Sequence, residues 1–410
     1  MTTTTSAARA AAPTFVWVLI AAAGTFALTM GARQSMGLFV STLNTSTGLG
    51  IASISLAFAF GQLWWGLTQP VAGIVADRIG AGRVLFAGVV LVAIGTALVP
   101  FMHSTLGLIL AIGVLAAGGA GMAGPSVLMA ATTRLIAPER RGMATGIVNA
   151  GGSFGQFVFA PIAQGITAAA GWVAALQSLA ALSLLALPAA WVLRGSSSSM
   201  ASSAANKEGT RAAIARALSD PSYRMLCAGF FVCGFHVAFI ATHLPGVVAA
   251  CQLPPAVGAW SLSVIGLFNI VGSFAMGWAV GRWRMKSLLA LVYAARGVAV
   301  LVFMLAPKTP TVMLVFAAVI GLTYLSTVPP TAGLVAKFFG PTHMATLFGI
   351  VMLAHQLGGF LGAYFGGKAF EWTGSYDWMW YVDIVLAAGA ALVNLPIQEA
   401  EVPARLETVR

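Results

Sequence analysis

The sequence predicts an all-α polytopic membrane protein, with twelve transmembrane helices in two pseudo-symmetric six-helix halves. Three observations carry this. The 410 residues are 59% hydrophobic and 8% charged, with mean hydropathy +0.92, where a soluble domain carries about 25% charged residues. Apolar runs of about 20 residues, the length a bilayer core requires, recur along the whole chain. Lys and Arg are sorted along it as a fixed membrane topology would sort them.

Spans are expected, within a few residues, at 14–41, 51–75, 84–103, 105–133, 142–169, 171–193, 222–249, 257–280, 287–306, 310–336, 343–369 and 376–396. The opening MTTTTSAARAAAP is followed by an apolar run with no cleavage signature, so that run is read as a retained helix. With the N-terminus inside, seventeen of the 21 Lys and Arg fall on the cytoplasmic side. Among these are Arg78 and Arg83, Arg194 to Arg224, and Arg282 to Lys286. Only Lys308 and Lys368 fall outside, and Arg33 and Arg296 fall within spans. The asymmetry gives an even helix count with both termini cytoplasmic. It also accounts for the net charge of +11 as topology, not as a nucleic-acid surface.

The longest polar stretch, 194–221, is Ser/Ala-rich and basic and reads as a cytoplasmic linker. It separates an N-terminal half, 1–193, from a C-terminal half, 222–396, with a cytoplasmic tail at 397–410. The halves repeat. Gly146-Ile147-Val148 recurs as Gly349-Ile350-Val351, and at the same offset Gly155 matches Gly358, Phe157 matches Phe360 and Gly171 matches Gly374. One residue further on, Gly73 and Arg78 fall on Gly277 and Arg282. Internal symmetry of this kind belongs to transporters with a site between the repeats. Cys227, Cys233 and Cys251 imply no disulfide framework. Asn44-Thr45-Ser46 fits a glycosylation sequon on the outer side, a short match of little weight.

After the second span comes Gly73-Ile-Val-Ala-Asp77-Arg78-Ile-Gly80-Ala-Gly82-Arg83. A tight Gly turn here joins two helices and leaves an acid at a helix end, where it can meet a facing helix N-terminus or an Arg. This segment resembles the G-x-x-x-D-R-x-G-x-x-R signature of the major facilitator superfamily. The chain is identified as a member on that signature, the helix count, the central loop and the repeat. The resemblance implies a gating role for Asp77, Arg78 and Arg83 and alternating access between the halves. The counterpart Gly277-Trp-Ala-Val-Gly281-Arg282 has lost the acid. Within the superfamily, Gly31-Ala-Arg33-Gln34-Ser-Met-Gly37-Leu-Phe39 is similar to the first-span pattern of the monocarboxylate carrier and oxalate:formate antiporter branch. That branch often has an Arg in the eighth span, and its oxalate antiporters have a Lys in the eleventh. Here the eighth has Asn269 and Ser273, and the eleventh has His355. A singly charged anion therefore fits better than a dicarboxylate.

The polar residues inside the spans supply the candidate site. Arg33 is the only charge in its span, and no acid occurs before Asp77. A guanidinium cannot shed its proton, so inside a membrane it needs a partner, water or an anion. The competing reading is a side chain that snorkels to the outer headgroups. His236 occupies the position in the C-terminal half that Arg33 occupies in the N-terminal half, and His243 lies two turns beyond it. His355 lies in the eleventh span beside Gln356. Histidine donates to anions and titrates near neutrality, so His236 and His355 are the expected proton-coupling residues. The alternative for His236 is a packing residue bonded to a neighbouring carbonyl. Arg296, in the ninth span, has three readings: it pairs with Asp383 of the twelfth, reaches the cavity, or bonds backbone carbonyls. Gln34, Gln62, Gln69, Asn149, Gln156, Asn269 and Tyr324 are candidates to complete the pocket, with interhelical hydrogen bonding as the alternative. Trp64, Trp65, Phe235 and Phe360 are candidates for its walls. Pro125 and Pro329-Pro330 are expected to loosen the fourth and tenth spans.

The expected function is secondary transport of a small organic anion, best fitted by a monocarboxylate, with proton symport; exchange and facilitated diffusion stay open. No Asp or Glu occurs in the spans expected to line the cavity, so a carboxylate proton carrier is not expected on them. One alternative is an exchanger of the oxalate:formate type. Another is a proton-driven drug exporter, against which the fifth span reads Gly151-Gly-Ser-Phe-Gly155-Gln156, with Gln where such exporters carry Pro. Phosphate-binding loops, metal clusters and nucleophile–base motifs are lacking, which argues against an enzyme, a cofactor or a bound metal. The expected setting is a bacterial inner membrane, with a monomeric protein and partners limited to the anion, protons and lipid.

Overall fold

The computed structural model describes residues 15–137, 140–194, 210–340 and 344–400. Every regular element among them is helical. Ten segments among these residues are long and apolar enough to cross a membrane. One of them, Met143–Val192, is two spans, because Gly171 breaks it with a left-handed backbone (φ 87°). With Asp377–Asn394 the total is twelve. We number them α1 (Phe15–Thr47), α2 (Ile51–Ile79), α3 (Ala81–Phe101), α4 (Thr105–Thr132), α5 (141–170), α6 (172–192), α7 (Pro221–Ala250), α8 (Pro255–Val280), α9 (Met285–Leu305), α10 (Pro310–Phe339), α11 (Met344–Thr373) and α12 (Asp377–Asn394). A short helix, Thr210–Ser219, precedes α7.

Local chemistry sets the ends. Asp220 caps α7 by accepting from the Tyr223 amide at 2.8 Å, with Pro221 in the first turn, where its missing N–H costs nothing. Thr309 caps α10 in the same way. Gly374 closes α11 with φ 68°, as its repeat partner Gly171 closes α5. Both positions use backbone that only glycine adopts freely.

Three spans are irregular. α1 passes through a 3-10 turn at Met36–Phe39, just beyond Arg33. α4 contains a π-helical stretch, Ile109–Ala116, and is interrupted at Ala123 and Gly124 before Pro125. α10 unwinds over residues 324–327 before Pro329 and Pro330, which supply no amide donors to the preceding turn.

Each half has its own apolar core. Val89, Leu128 and Val148 are buried in one, and Leu226, Tyr293 and Val335 in the other. Outward-facing side chains are large and apolar, such as Trp17 (63% exposed), Trp191 (66%) and Leu305 (80%), as a lipid-facing surface requires. The halves meet along two antiparallel seams, α2 with α11 and α5 with α8. In the first, Ala52 and Ser55 lie against Gly367, Gln62 against Gly359, and Gln356 against Gly66. In the second, Ser263 donates to the Phe157 carbonyl at 2.6 Å, and Asn269 donates to the Ser153 hydroxyl at 2.8 Å.

Both seams part toward the end of the bundle that carries Arg78, Arg83 and Arg282. A Cβ added at Gly73, Gly146, Gly277 or Gly349 would meet nothing within 4 Å among the described residues. The seam registers place these glycines opposite one another, Gly73 with Gly349 and Gly146 with Gly277. At the opposite end the halves are in close contact. A Cβ on Gly37 of α1 would collide with the Ala241 carbonyl of α7, and one on Gly367 with Ser55.

Candidate functional site

Arg33 lies in α1 just before the 3-10 turn and is half-buried. Its Nη2 donates to the Gln62 side-chain oxygen on α2, and its guanidinium carbon lies 5.0 Å from the centre of the Trp65 ring. Both partners are neutral, so among the described residues the positive charge is hydrogen-bonded and stacked but not cancelled. Around it lies a cavity of about 30 Å³, lined by Arg33, Gln34, Gly37, Gln62, Ala116 and Thr242 among others. That is room for roughly one or two waters. Gly37 crossing Ala241 closes the side away from the basic end.

Gln34 connects this cavity to the other half. The Tyr324 hydroxyl donates to the Val237 carbonyl at 3.1 Å and has the Gln34 side chain as a neighbour. Tyr324 is the first residue of the unwound α10 segment, which is held from three sides. Asn269 Oδ1 on α8 accepts from the Leu325 amide at 3.1 Å. Cys233 on α7 contacts Thr327 Oγ1 at 3.1 Å. From α9, Arg296 Nη2 donates to the Thr323 carbonyl and, at 3.1 Å, to the Tyr324 carbonyl. A cation at the C-terminal end of a half-helix opposes the partial negative charge there.

Arg296 belongs to a second polar group, sealed inside the C-terminal half. His236 Nε2 lies 3.3 Å from Asp383 Oδ1, and the two side chains are 1% and 0% exposed. The approach is close enough for an ion pair but not aligned as a hydrogen bond: both His236 nitrogens, both Asp383 oxygens and Arg296 Nε and Nη1 lack hydrogen-bond partners among the described residues.

The sequence candidates therefore fall into separate places. Arg33, Gln34 and Gln62 line one cavity, with Tyr324 adjoining it. Asn269 joins α5 and α8 to the α10 break. Gln156 is buried (2%) against α8 at Gly266. Asn149 is exposed, on the parted stretch of α5. His355 lies against α7, its ring 4.9 Å from Phe230, while Gln356 faces α2 at Gly66. His236 and Arg296 sit in the sealed cluster, not at the cavity. Of the three readings of Arg296, the geometry matches the carbonyl-bonding one, and Asp383 has His236 as its near neighbour. His243 Nε2 donates to the Ala363 carbonyl at 2.7 Å, a packing contact. Arg78 and Arg83 are exposed, Arg83 reaching the Ile79 carbonyl at 3.4 Å. The Asp77 side chain lies outside the described residues. Sequence reasoning gave no role to Thr242 or Cys233. For Cys233 a signal existed, since it lies one helical turn before His236 on the same face of α7.

Comparison with known proteins agrees with this architecture. The chain is 26% identical over 376 residues to monocarboxylate transporter 13 of Rattus norvegicus, covering 90% of this chain and 86% of the relative. It is 25% identical over 398 residues to monocarboxylate transporter 11 of Mus musculus, covering 93% and 88%. It is 22% identical over 395 residues to the uncharacterized MFS-type transporter YcxA of Bacillus subtilis (strain 168), covering 93% and 95%. The sequence pattern of the Major Facilitator Superfamily matches residues 21–363 and again 226–408. With two six-helix halves meeting at α2–α11 and α5–α8, the chain belongs to the major facilitator superfamily of transporters.

Proposed function

We propose that this protein is a secondary transporter of a small organic anion, best fitted by a monocarboxylate, working by alternating access with proton symport. The observation that carries the reading is Arg33: a permanent cation inside a span, paired among the described residues with neutral groups, in a cavity beside the inter-half seam. Such a charge is costly in a membrane unless it meets an anion. A carboxylate presents two oxygens to the guanidinium fork. The relatives named monocarboxylate transporters support the same substrate class.

In this reading the parted basic end is cytoplasmic, both termini lie on that side of an inner membrane, and the structure is inward-open. The anion enters between α2–α11 and α5–α8 and meets Arg33 and Gln34, with Tyr324 opposite. The halves then rock, closing Gly73 on Gly349 and Gly146 on Gly277 and parting at Gly37 and Ala241. Asp77, Arg78 and Arg83 hold the closed cytoplasmic side. His355 and His236 provide the protonatable groups of the C-terminal half, and the protein works as a monomer.

The test is thermal stabilisation of purified protein by a panel of small carboxylates at about pH 5.5 and about pH 7.5, on either side of the histidine range. Ligands that bind the folded state raise its apparent stability by mass action. Stabilisation by monocarboxylates, stronger at the lower pH, supports the reading. Stabilisation by lipophilic cations, with none by any anion, would replace it with drug export.

A further inference from the structure

We propose that Asp383 of α12 and His236 of α7 form a proton-binding site, and that Arg296 relays its charge state through the broken α10 to the Arg33 cavity. The coupling to Arg33 rests on the transport reading above; the proton site itself does not. Asp383 is an acid in a span outside those expected to line the cavity, yet the fold brings it to a histidine of α7, a helix that does line it.

An ionised carboxylate sealed from water needs donors, and a sealed imidazole needs a partner. Here neither has one, although they lie 3.3 Å apart. A proton placed between them converts the contact into a hydrogen bond. The carboxyl and imidazole can then share it, the proton going from one oxygen toward Nε2. The charged group facing the pair is Arg296 from α9; around Arg296 lie Cys233 of α7, Tyr293 of α9 and Tyr324 of α10, with His355 of α11 beside Cys233. Of these Arg296 alone carries a fixed charge. Without the added proton, Asp383 balances Arg296. With it, the cluster gains one positive charge.

That gain is read in two ways. Electrostatically, it favours an anion in the nearby cavity, and by linkage the anion favours the proton. Mechanically, Arg296 also holds the Thr323 and Tyr324 carbonyls. When Asp383 no longer offsets its charge, its hold on that half-helix end strengthens. Tyr324, which has Gln34 as a neighbour, is moved or fixed accordingly.

The test is pH-difference infrared spectroscopy of the purified full-length protein. Wild type is expected to show a carboxylic-acid carbonyl band that titrates, is absent in Asp383→Asn and shifts in frequency in His236→Gln. If Asp383→Asn alone does not fold, the charge-balanced double variant Arg296→Gln, Asp383→Asn serves as the reference. A wild-type spectrum with no titrating band assignable to Asp383 overturns the site. For the relay, lactate is the probe: it should raise the midpoint of the band by about one unit, a tenfold change in proton affinity, in wild type, and by clearly less in Tyr324→Phe, which keeps the electrostatic route and loses the mechanical one. Lactate that stabilises the protein thermally yet leaves the midpoint unmoved overturns the relay. Lactate that does not stabilise the protein counts against the transport reading, while the band still decides the proton site.

Discussion

At the residue scale the central matter is a charge that cannot be neutralised by losing its proton. Arg33 has a hydrogen bond to Gln62 and a stacking contact with Trp65, neither of which carries a negative charge. If an anion completes the pair, Arg33→Ala removes a charge-assisted interaction of about 1.5–3 kcal/mol, roughly a 10- to 100-fold loss in carboxylate affinity. Arg33→Lys keeps the charge but not the planar fork, and should fall between wild type and Arg33→Ala. Titrating the thermal stabilisation of each variant with the carboxylate that stabilises wild type measures both. Equal affinity in all three would remove Arg33 from the site. Arg33 was legible in the sequence because a lone charge in an apolar run stands out. The pairing of His236 with Asp383 was not. It depends on the rotation of α7 and α12 about their own axes, which apolar runs without a strong periodic face leave unspecified.

At the element scale the informative features are the parted seams and the break in α10. The seams hold register as far as Gly66 with Gln356 and Ser153 with Asn269, and then separate. Extending each register past the separation pairs Gly73 with Gly349 and Gly146 with Gly277, residues that the sequence repeat had already singled out. Glycine at both members of each pair allows two helices to approach backbone to backbone. In a cysteine-free background, Gly73→Cys with Gly349→Cys, and Gly146→Cys with Gly277→Cys, should form disulfides only when the basic end closes. Transport should then stop and recover on reduction; crosslinking of neither pair in membranes would argue against this closure. The break in α10 tests differently. Asn269 bonds Ser153, Ser273 and the Leu325 amide, so Asn269→Ala leaves a buried amide without its acceptor. The expected loss is about 1–3 kcal/mol of stability, read as a lowered thermal midpoint, larger than that of Asn149→Ala on the exposed stretch of α5. The prolines announced that α10 would be irregular. They did not announce that Arg296, Cys233 and Asn269 converge on the irregularity, because those contacts come from three other helices.

At the scale of the whole molecule, the number and order of the spans were the most legible level, since they follow from the length of the apolar runs, a quantity that needs no knowledge of packing. The expected spans and the observed helices agree within a few residues, apart from α1, which runs on to Thr47 through a 3-10 turn that no apolar count would reveal. The two halves are also separate in a stronger sense. The apolar clusters around Val89 and Leu128 and around Leu226 and Val335 are each built within one half. What joins the halves is the pair of seams, the small-residue contact of Ala238 on α7 with Ala59 and Ala363, and the Gly37–Ala241 crossing. If those surfaces suffice, the covalent connection between α6 and α7 is dispensable. Two co-expressed fragments, residues 1–194 and 210–410, should each insert as six helices, co-purify through a tag on one of them, and regain the carboxylate stabilisation of the intact chain. Adding Gly37→Trp to the first fragment should abolish co-purification or stabilisation, because the indole cannot fit against the Ala241 carbonyl. Fragments that insert but do not associate would show that the seams are too weak to hold the halves together without the linker. A transporter that rocks about them would then depend on its linker to remain one molecule.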